Sequence, residues 1–322
     1  MKKISIDLGY GYIKATSNFT KKQILFPSII KKTGKSKDNL LQNALGRPDK
    51  DYLVEYNNKV YFVGKLGLDQ FGERHFSQNG QYQEERINVL INTAVHQIIN
   101  QSEEKIENIE LYVGVSLGTY IEGKKKLKEI SDKIDRKINT TINNKNIQTK
   151  IKKLAFRPQG IGAYVNLSKE GSIDDEDTVG IIDYGFRTVE IIVVRRKNIV
   201  ESMTFSFDEH GANYIFETAT EKIKEKLGKA PSIDDLENLY LRNRKYKNIS
   251  VKSIVEKVSN NYGNNLISNI QKNWGSNIEK IDYIVPVGGG SKLIKDSIEK
   301  AFSNVRYTEN QQTANASGFL LM

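Results

Sequence analysis

The sequence predicts a mixed α/β protein of two related halves, on three observations. Its 322 residues correspond to about two domains at roughly 100–200 residues per domain. Short apolar runs suited to buried strands alternate with segments whose apolar residues recur at helical spacing. A strand–glycine turn–strand pattern near the N-terminus recurs after residue 178, as when one supersecondary unit is used twice.

The first strand is the apolar run at residues 4–8. It ends in Asp7-Leu8-Gly9-Tyr10-Gly11, and Tyr12-Ile13-Lys14-Ala15 follows at once, so two strands joined by a glycine turn are expected. The polar, Lys-rich residues 31–50 read as loops. Residues 54–56 and 59–63 flank Asn57-Asn58 and read as a second hairpin. From Glu84 the period changes, and Ile87, Leu90, Ile91, Ala94, Val95 and Ile98 fall on one helical face. Residues 109–115 suit a buried strand. Residues 120–138 read as a polar helix with its stripe at Leu127, Ile130, Ile134 and Ile138. Another strand is expected at 151–156 and a helix from Gly160.

The acidic residues 171–178 read as a solvated connection and the boundary between the halves. Then the opening repeats: a strand at 179–183, a turn at 184–188 and a second strand at 189–195. A helix is expected at 211–227, and further helices between 232 and 273. The last buried strand, 281–287, runs into Gly288-Gly289-Gly290-Ser291. A helix at about 293–302 and a small apolar helix at 314–321 close the chain.

Composition narrows the chemistry. The chain has no cysteine, which excludes disulfides and thiolate metal sites. His75, His96 and His210 are scattered, against a histidine-based metal site. The net charge is +10; basic charge favours polyanions, but Lys, Asn and Ile are abundant throughout, so a general compositional bias is the stronger reading. Asp7 interrupts the N-terminal apolar run, and no stretch approaches the ~20 apolar residues of a membrane span. A cytoplasmic protein without direct membrane contact is expected.

Three motifs carry the chemistry. Asp7-Leu8-Gly9-Tyr10-Gly11-Tyr12-Ile13 aligns with Asp183-Tyr184-Gly185-Phe186-Arg187-Thr188-Val189. A glycine turn presents backbone N–H groups that cradle phosphate oxygens. A carboxylate at a strand end holds Mg²⁺ through water, because Mg²⁺ keeps several waters and takes one or two carboxylates. Lys14 places a point charge on a phosphate. Singly, such a hairpin is usually only a turn; two aligned copies favour phosphate binding. The second motif, Val287-Gly288-Gly289-Gly290-Ser291-Lys292, permits close backbone approach to a ligand. It is not a Walker A loop. The third, Arg157-Pro158-Gln159-Gly160-Ile161-Gly162-Ala163, offers Gln159 to orient a water for attack on a terminal phosphate; alone it would be an ordinary loop glutamine.

Together and in this order, these segments resemble the actin-like ATPase superfamily. Residues 7–14 resemble its first phosphate loop, 157–163 its first connecting segment, 183–188 its second phosphate loop and 286–292 its adenosine loop. The nearest resemblance is to plasmid-segregation actins of the ParM type and related archaeal actins, whose C-terminal A-N-A-x-G-F is similar to Ala314-Asn315-Ala316-Ser317-Gly318-Phe319. Tyr61-Phe62-Val63-Gly64 is also similar to a stretch common there.

The resemblance implies an actin-like fold: two ribonuclease-H-like domains around a nucleotide cleft, each with an inserted subdomain. The domains would be 1–168, with an insertion at about 17–83, and 169–322, with an insertion at about 200–265. The C-terminal helix, about 309–322, would pack back on the first domain. Asp7, Asp183 and Gln159 would be catalytic, with Asp7 and Asp183 organising Mg²⁺. Gly9, Gly11, Lys14, Gly185 and Thr188 would hold phosphates, and Tyr10, Phe186 and Arg187 would be nucleotide-binding positions of the same loops. Gly288, Gly289, Gly290 and Lys292 would lie against the nucleoside. Lys224 and Glu225, in a stretch similar to a nucleotide-binding helix of actin, would reach base or ribose. The family's second loop usually carries small residues after its glycine, whereas here Phe186 and Arg187 follow. Arg187 then either adds a phosphate contact or displaces the loop.

The function implied is hydrolysis of ATP or GTP by a protein that polymerises into filaments, with plasmid DNA as cargo through a DNA-binding adaptor. Alternatives are a sugar or metabolite kinase on the same fold and a nucleotide-binding scaffold. A kinase needs an aspartate base for its acceptor hydroxyl, and none stands out beyond the phosphate-loop aspartates.

Overall fold

The computed structural model describes residues 1–33, 51–74 and 82–322; most of the Lys-rich 31–50 stretch lies outside them. The chain forms two compact units, Met1–Gly162 with Asn315–Met322, and Ala163–Ala314. The division falls between Gly162 and Ala163 rather than at residue 168. Gly162 belongs to the first unit because its backbone lies against Asn315: a Cβ at 162 would stand 2.3 Å from the Asn315 carbonyl oxygen.

The first unit is built on a ten-stranded sheet. Its strands are β1 (Lys3–Leu8), β2 (Tyr12–Ser17), β3 (Ile24–Pro27), β4 (Ile29–Thr33), β5 (Asp51–Tyr56), β6 (Lys59–Gly64), β7 (Glu73–Arg74), β8 (Asn108–Val115), β9 (Lys137–Ile142) and β10 (Lys145–Pro158). They lie in the order β3-β2-β1-β8-β10-β9-β5-β6-β4-β7. β1, β8 and β10 run parallel. The second half of β10 pairs with β8 and its first half with β9, with an irregularity between Ile151 and Lys153. One strand therefore serves both the core sheet and its extension. The insertion expected at 17–83 is not a single segment: β3 pairs with β2 in the core, while β9, outside that range, pairs with β5.

Helices α1 (Lys65–Asp69), α2 (Glu84–Ile99), α3 (Leu117–Ile121) and α4 (Lys124–Asp132) connect these strands, and α5 (Ile161–Lys169) follows β10 and belongs mostly to the second unit. The apolar stripe of α2 is buried as its spacing predicts, but Arg86, Asn88, Asn92, Thr93 and His96 are buried too. The helix packs against strands from β1 to β9, so it has almost no solvent face. Asn88 donates to the Lys133 carbonyl at 2.7 Å, and His96 Nε2 lies 2.8 Å from the Lys145 carbonyl.

The long helix expected at 120–138 does not form. Gly123, at φ 89, separates α3 from α4, and Ile138 sits on β9, whose burial alternates. β9 and β10 form a hairpin around Asn143 (φ 49) and Asn144 (φ 68). This is the left-handed pair that a tight hairpin turn requires, and Asn57 and Asn58 supply it between β5 and β6 as well.

In the second unit β11 (Thr178–Tyr184), β12 (Val189–Arg195), β13 (Asn198–Ile199), β14 (Phe205–Phe207) and β17 (Tyr283–Val287) form a five-stranded sheet. β15 (Lys245–Tyr246) and β16 (Ile249–Ser250) make a separate ribbon. The helices are α6 (Ala212–Leu227), α7 (Ile233–Leu241), α8 (Val251–Trp274) and α9 (Lys295–Ala301). Ser232 and Ser250 cap α7 and α8 through their hydroxyls, and Gly228, at φ 70, ends α6. α8 continues past 265 into the core, where Trp274 fills the space that Gly180 leaves on β11. No boundary falls at 265. The acidic 171–178 loop is not merely solvated: Asp175 and Glu176 pair with Lys197 and Arg196 in the β12–β13 turn. α10 (Ala314–Phe319) then returns the chain to the first unit.

Candidate functional site

The two aligned hairpins share one register. In β1–β2 Asp7 faces Lys14 and Leu8 faces Ile13; in β11–β12 Asp183 faces Glu190 and Tyr184 faces Val189. Each turn places a glycine where nothing larger fits. A Cβ on Gly9 would stand 2.7 Å from the Tyr12 carbonyl oxygen, and one on Gly185 would stand 2.9 Å from that of Thr188. The next segment of chain ties each turn at the equivalent residue. Ser28 N–H donates to the Gly11 carbonyl at 2.9 Å, and Gly211 N–H donates to that of Arg187 at 2.8 Å.

In the first unit the geometry converges on Asp7, at the carboxyl end of β1 and 2% exposed. Lys14 Nζ lies 2.9 Å from its Oδ2, and Gln159 Nε2 donates to its Oδ1 at 2.5 Å. With its amide nitrogen on Asp7, Gln159 keeps its carbonyl oxygen as an acceptor for a water. The backbone beside it is held on both sides. Gln159 N–H donates to the Val115 carbonyl at 2.9 Å, and Gly160 N–H donates to Asn315 Oδ1 at 2.8 Å. The C-terminal motif therefore has a positioning role. Ser5 Oγ also donates to the Ala316 carbonyl, and Phe319 fills the space over Gly114 on β8. Tyr10 is buried, so that position offers its backbone rather than its ring.

In the second unit the geometry converges on Asp183, 7% exposed. The triple glycine follows β17, whose Val287 is in register with Asp183. Gly288, at φ 90, sits so close that a Cβ there would be 2.4 Å from the Tyr184 carbonyl oxygen and 2.6 Å from Asp183 Oδ1. Gly290 N–H donates to the same Tyr184 carbonyl at 3.0 Å, and Gly288 N–H donates to that of Gln311 at 3.1 Å. Gly289 and Lys292 are exposed beside them. Asp183 and the glycines thus form one contiguous surface at the carboxyl ends of parallel strands, where α/β sheets bind ligands.

Some expected residues fall elsewhere. The Arg187 guanidinium lies 2.7 Å from Asp208. The Phe186 ring packs on the second unit's core, and its carbonyl accepts from Asn213. Lys224 and Glu225 are exposed on the last turn of α6, whereas the first turn of that helix bonds the Gly185–Arg187 turn. At about 1.5 Å of rise per residue, that puts them roughly 18–20 Å along the axis from that turn.

Glu190 was not expected at the site. It is 2% exposed, and extending the hairpin alignment by one residue lays it on Lys14. The two hairpins therefore carry opposite charge at one position. Asp7 is already ion-paired, while Asp183 faces a second carboxylate. Among the described residues no group of three or more His, Cys, Asp or Glu could hold a metal alone. Two carboxylates facing across one strand pair, Asp183 and Glu190, are a donor set of the kind that Mg²⁺ takes. No helix among the described residues is long and apolar enough to cross a membrane.

Comparison with known proteins follows these boundaries. A family model described as "Actin like proteins N terminal domain" matches residues 5–162, and one described as "Archaeal actin homologue MreB-like, C-terminal" matches residues 181–300. Archaeal actin homologs of Thermoplasma volcanium and Thermoplasma acidophilum are each 26% identical over 179 residues; the match spans 53% of this chain and 55% of theirs. A crystal structure of an archaeal actin homolog superposes with a TM-score of 0.83 at 21% identity, covering 99% of this chain and 98% of that one. A 15-stranded ParM filament from Clostridium botulinum gives 0.82 at 25% identity, with the same coverage. An archaeal actin homolog in complex with ADP gives 0.80 at 21% identity, again over 99% and 98%.

Proposed function

From the premise that this chain belongs to the actin-like ATPase superfamily, we propose that it binds and hydrolyses a Mg-nucleotide and assembles into dynamic filaments. The observation that carries the hydrolytic part is the Asp7–Lys14–Gln159 constellation in the first unit. Lys14 and the backbone N–H groups at Gly9 and Gly11 hold phosphate oxygens. Gln159, anchored on Asp7, orients a water in line with the terminal phosphate. In the second unit the turn from Gly185 to Thr188 offers backbone donors of its own. Asp183 and Glu190 would hold Mg²⁺, which would supply charge neutralisation at the phosphates.

The assembly part is supported by relatives solved as filaments. In this reading nucleotide binding favours the polymer and hydrolysis weakens it, so each state must differ in its affinity for neighbouring subunits. Resemblance to ParM-type actins supports a plasmid cargo reached through a separate DNA-binding adaptor, in the cytoplasm.

The test mixes purified protein with Mg-ATP, Mg-GTP or buffer, and follows phosphate release, light scattering and negative-stain images together. Phosphate release with nucleotide-dependent filaments is expected, and its absence in Asp183→Ala. Phosphate release by that variant at the wild-type rate would overturn the role given to the second hairpin. Persistent monomers with both nucleotides, across protein and salt concentration, would overturn the filament reading.

A further inference from the structure

The second unit carries an aromatic cluster at the margin of its core, against which Tyr262 packs. His210, Tyr214 at the start of α6 and Tyr262 on α8 stack together. Tyr214 and Tyr262 have ring centroids 4.8 Å apart, and His210 lies 6.1 Å from each. Tyr214 is 40% exposed and His210 is exposed. Helix packing between α6 and α8 would need only apolar side chains here, yet the cluster is polar-edged and two of its rings, His210 and Tyr214, stay partly exposed.

Its placement in the fold is specific. β14 runs antiparallel to β12, so Phe207, in register with Val189, ends at the same sheet edge as Asp183. The chain then passes through His210 into α6, whose first turn bonds the Gly185–Arg187 carbonyls. Ala212 abuts the triple glycine: a Cβ on Gly290 would be 3.0 Å from that of Ala212 and 2.5 Å from the Tyr184 ring. Burial, with a smaller contribution from the neighbouring Tyr262, raises the pKa of the Tyr184 hydroxyl. The contacts therefore run from the glycines, through Tyr184 and Ala212, to the start of the helix that carries Tyr214.

The hydrogen bonds define the imidazole. The Tyr262 hydroxyl donates to the His210 carbonyl at 2.7 Å and lies 2.8 Å from His210 Nδ1. Its single proton is on the carbonyl, so Nδ1 carries its own and donates. Nε2 of the neutral ring is then an acceptor. An edge-on acceptor beside stacked ring faces suits a purine, which offers a π-face and ring-edge N–H donors.

We propose that His210, Tyr214 and Tyr262 form the platform on which the nucleoside base stacks. This rests on the nucleotide reading above and gives the aromatic residues the part first assigned to Lys224 and Glu225.

Isothermal titration of the full chain with Mg-ADP, Mg-GDP and Mg-tripolyphosphate separates base from phosphate. Tyr214→Ser, at a partly exposed position, should weaken both nucleotides by about tenfold, as loss of base–aromatic stacking does. It should leave tripolyphosphate binding unchanged. Tyr262→Phe keeps the ring and should retain most of the nucleotide affinity. Unchanged nucleotide affinity in Tyr214→Ser, or equal weakening of nucleotide and tripolyphosphate, overturns the platform. Wild-type protein that binds tripolyphosphate no worse than nucleotide overturns the platform alone. Wild-type protein that binds none of the three overturns the nucleotide reading and the platform with it.

Discussion

Gly160 N–H donates to Asn315 Oδ1 at 2.8 Å, so the residue after Gln159 is fixed by a side chain 155 residues along the chain. Both partners are buried, so Asn315→Ala leaves the amide without its acceptor. A stability loss of about 1–3 kcal/mol is expected. Phosphate release should fall further than nucleotide binding does, because the water-orienting segment loses its anchor. Urea melts and single-turnover phosphate release measure the two effects separately.

Lys14 and Asp7 are both nearly buried, with side chains 11% and 3% exposed. Removing one partner leaves a buried charge uncompensated, so Lys14→Ala should cost about 3–5 kcal/mol. Asp7→Asn with Lys14→Met removes both charges and should cost clearly less than Lys14→Ala. Chemical denaturation of the single and double variants checks this; equal losses would show that the pair is not coupled.

Gly288 tolerates no side chain, for two independent reasons. Its φ is 90, and a Cβ would press on Asp183 Oδ1. Gly288→Ala should therefore displace the Asp183 carboxylate, raise the Mg²⁺ concentration needed for nucleotide binding, and cost at least about 1–2 kcal/mol from backbone strain alone. Gly171→Ala, also at positive φ but with nothing within 4 Å, should show the strain without the change in Mg²⁺ dependence.

Burial holds the pKa of His96 below the ordinary histidine value of 6.5. The folded state therefore prefers the neutral ring, and the unfolded chain binds more protons as pH falls through that value. Stability should be complete above pH 6.5 and decline below it. His96→Gln keeps a donor for the Lys145 carbonyl but does not titrate, so it should flatten the decline between pH 7.5 and 5.5, about one unit either side of a free histidine. Denaturant midpoints of both proteins at the two pH values give the comparison.

Much of this site was legible because its signals are local. A strand that ends in Asp, an obligatory glycine and a second strand leave a pattern within a few residues, so both hairpins and the glycine run after β17 stand out. The hairpin between β9 and β10 was missed because Ile134 and Ile138 mimic a helical stripe. Only Asn143-Asn144, a pair that accepts left-handed backbone, marks the reversal. Lys224 and Glu225 show the limit of local similarity, which does not tell that they stand at the far end of α6 from the Gly185 turn.

By itself the sequence determined the alternation of strands and helices, the two hairpins with Asp7 and Asp183 at their strand ends, and the family they resemble. These follow from periodicity and backbone sterics, which act between near neighbours. Tertiary structure alone decided that Arg187 pairs with Asp208, that Asn315 anchors Gly160, that Glu190 faces Asp183 and that α2 buries its polar residues. Each of these depends on which segments the sheets bring together. Side chains far apart in the chain commit to hydrogen bonds and ion pairs only once that packing has removed water from between them.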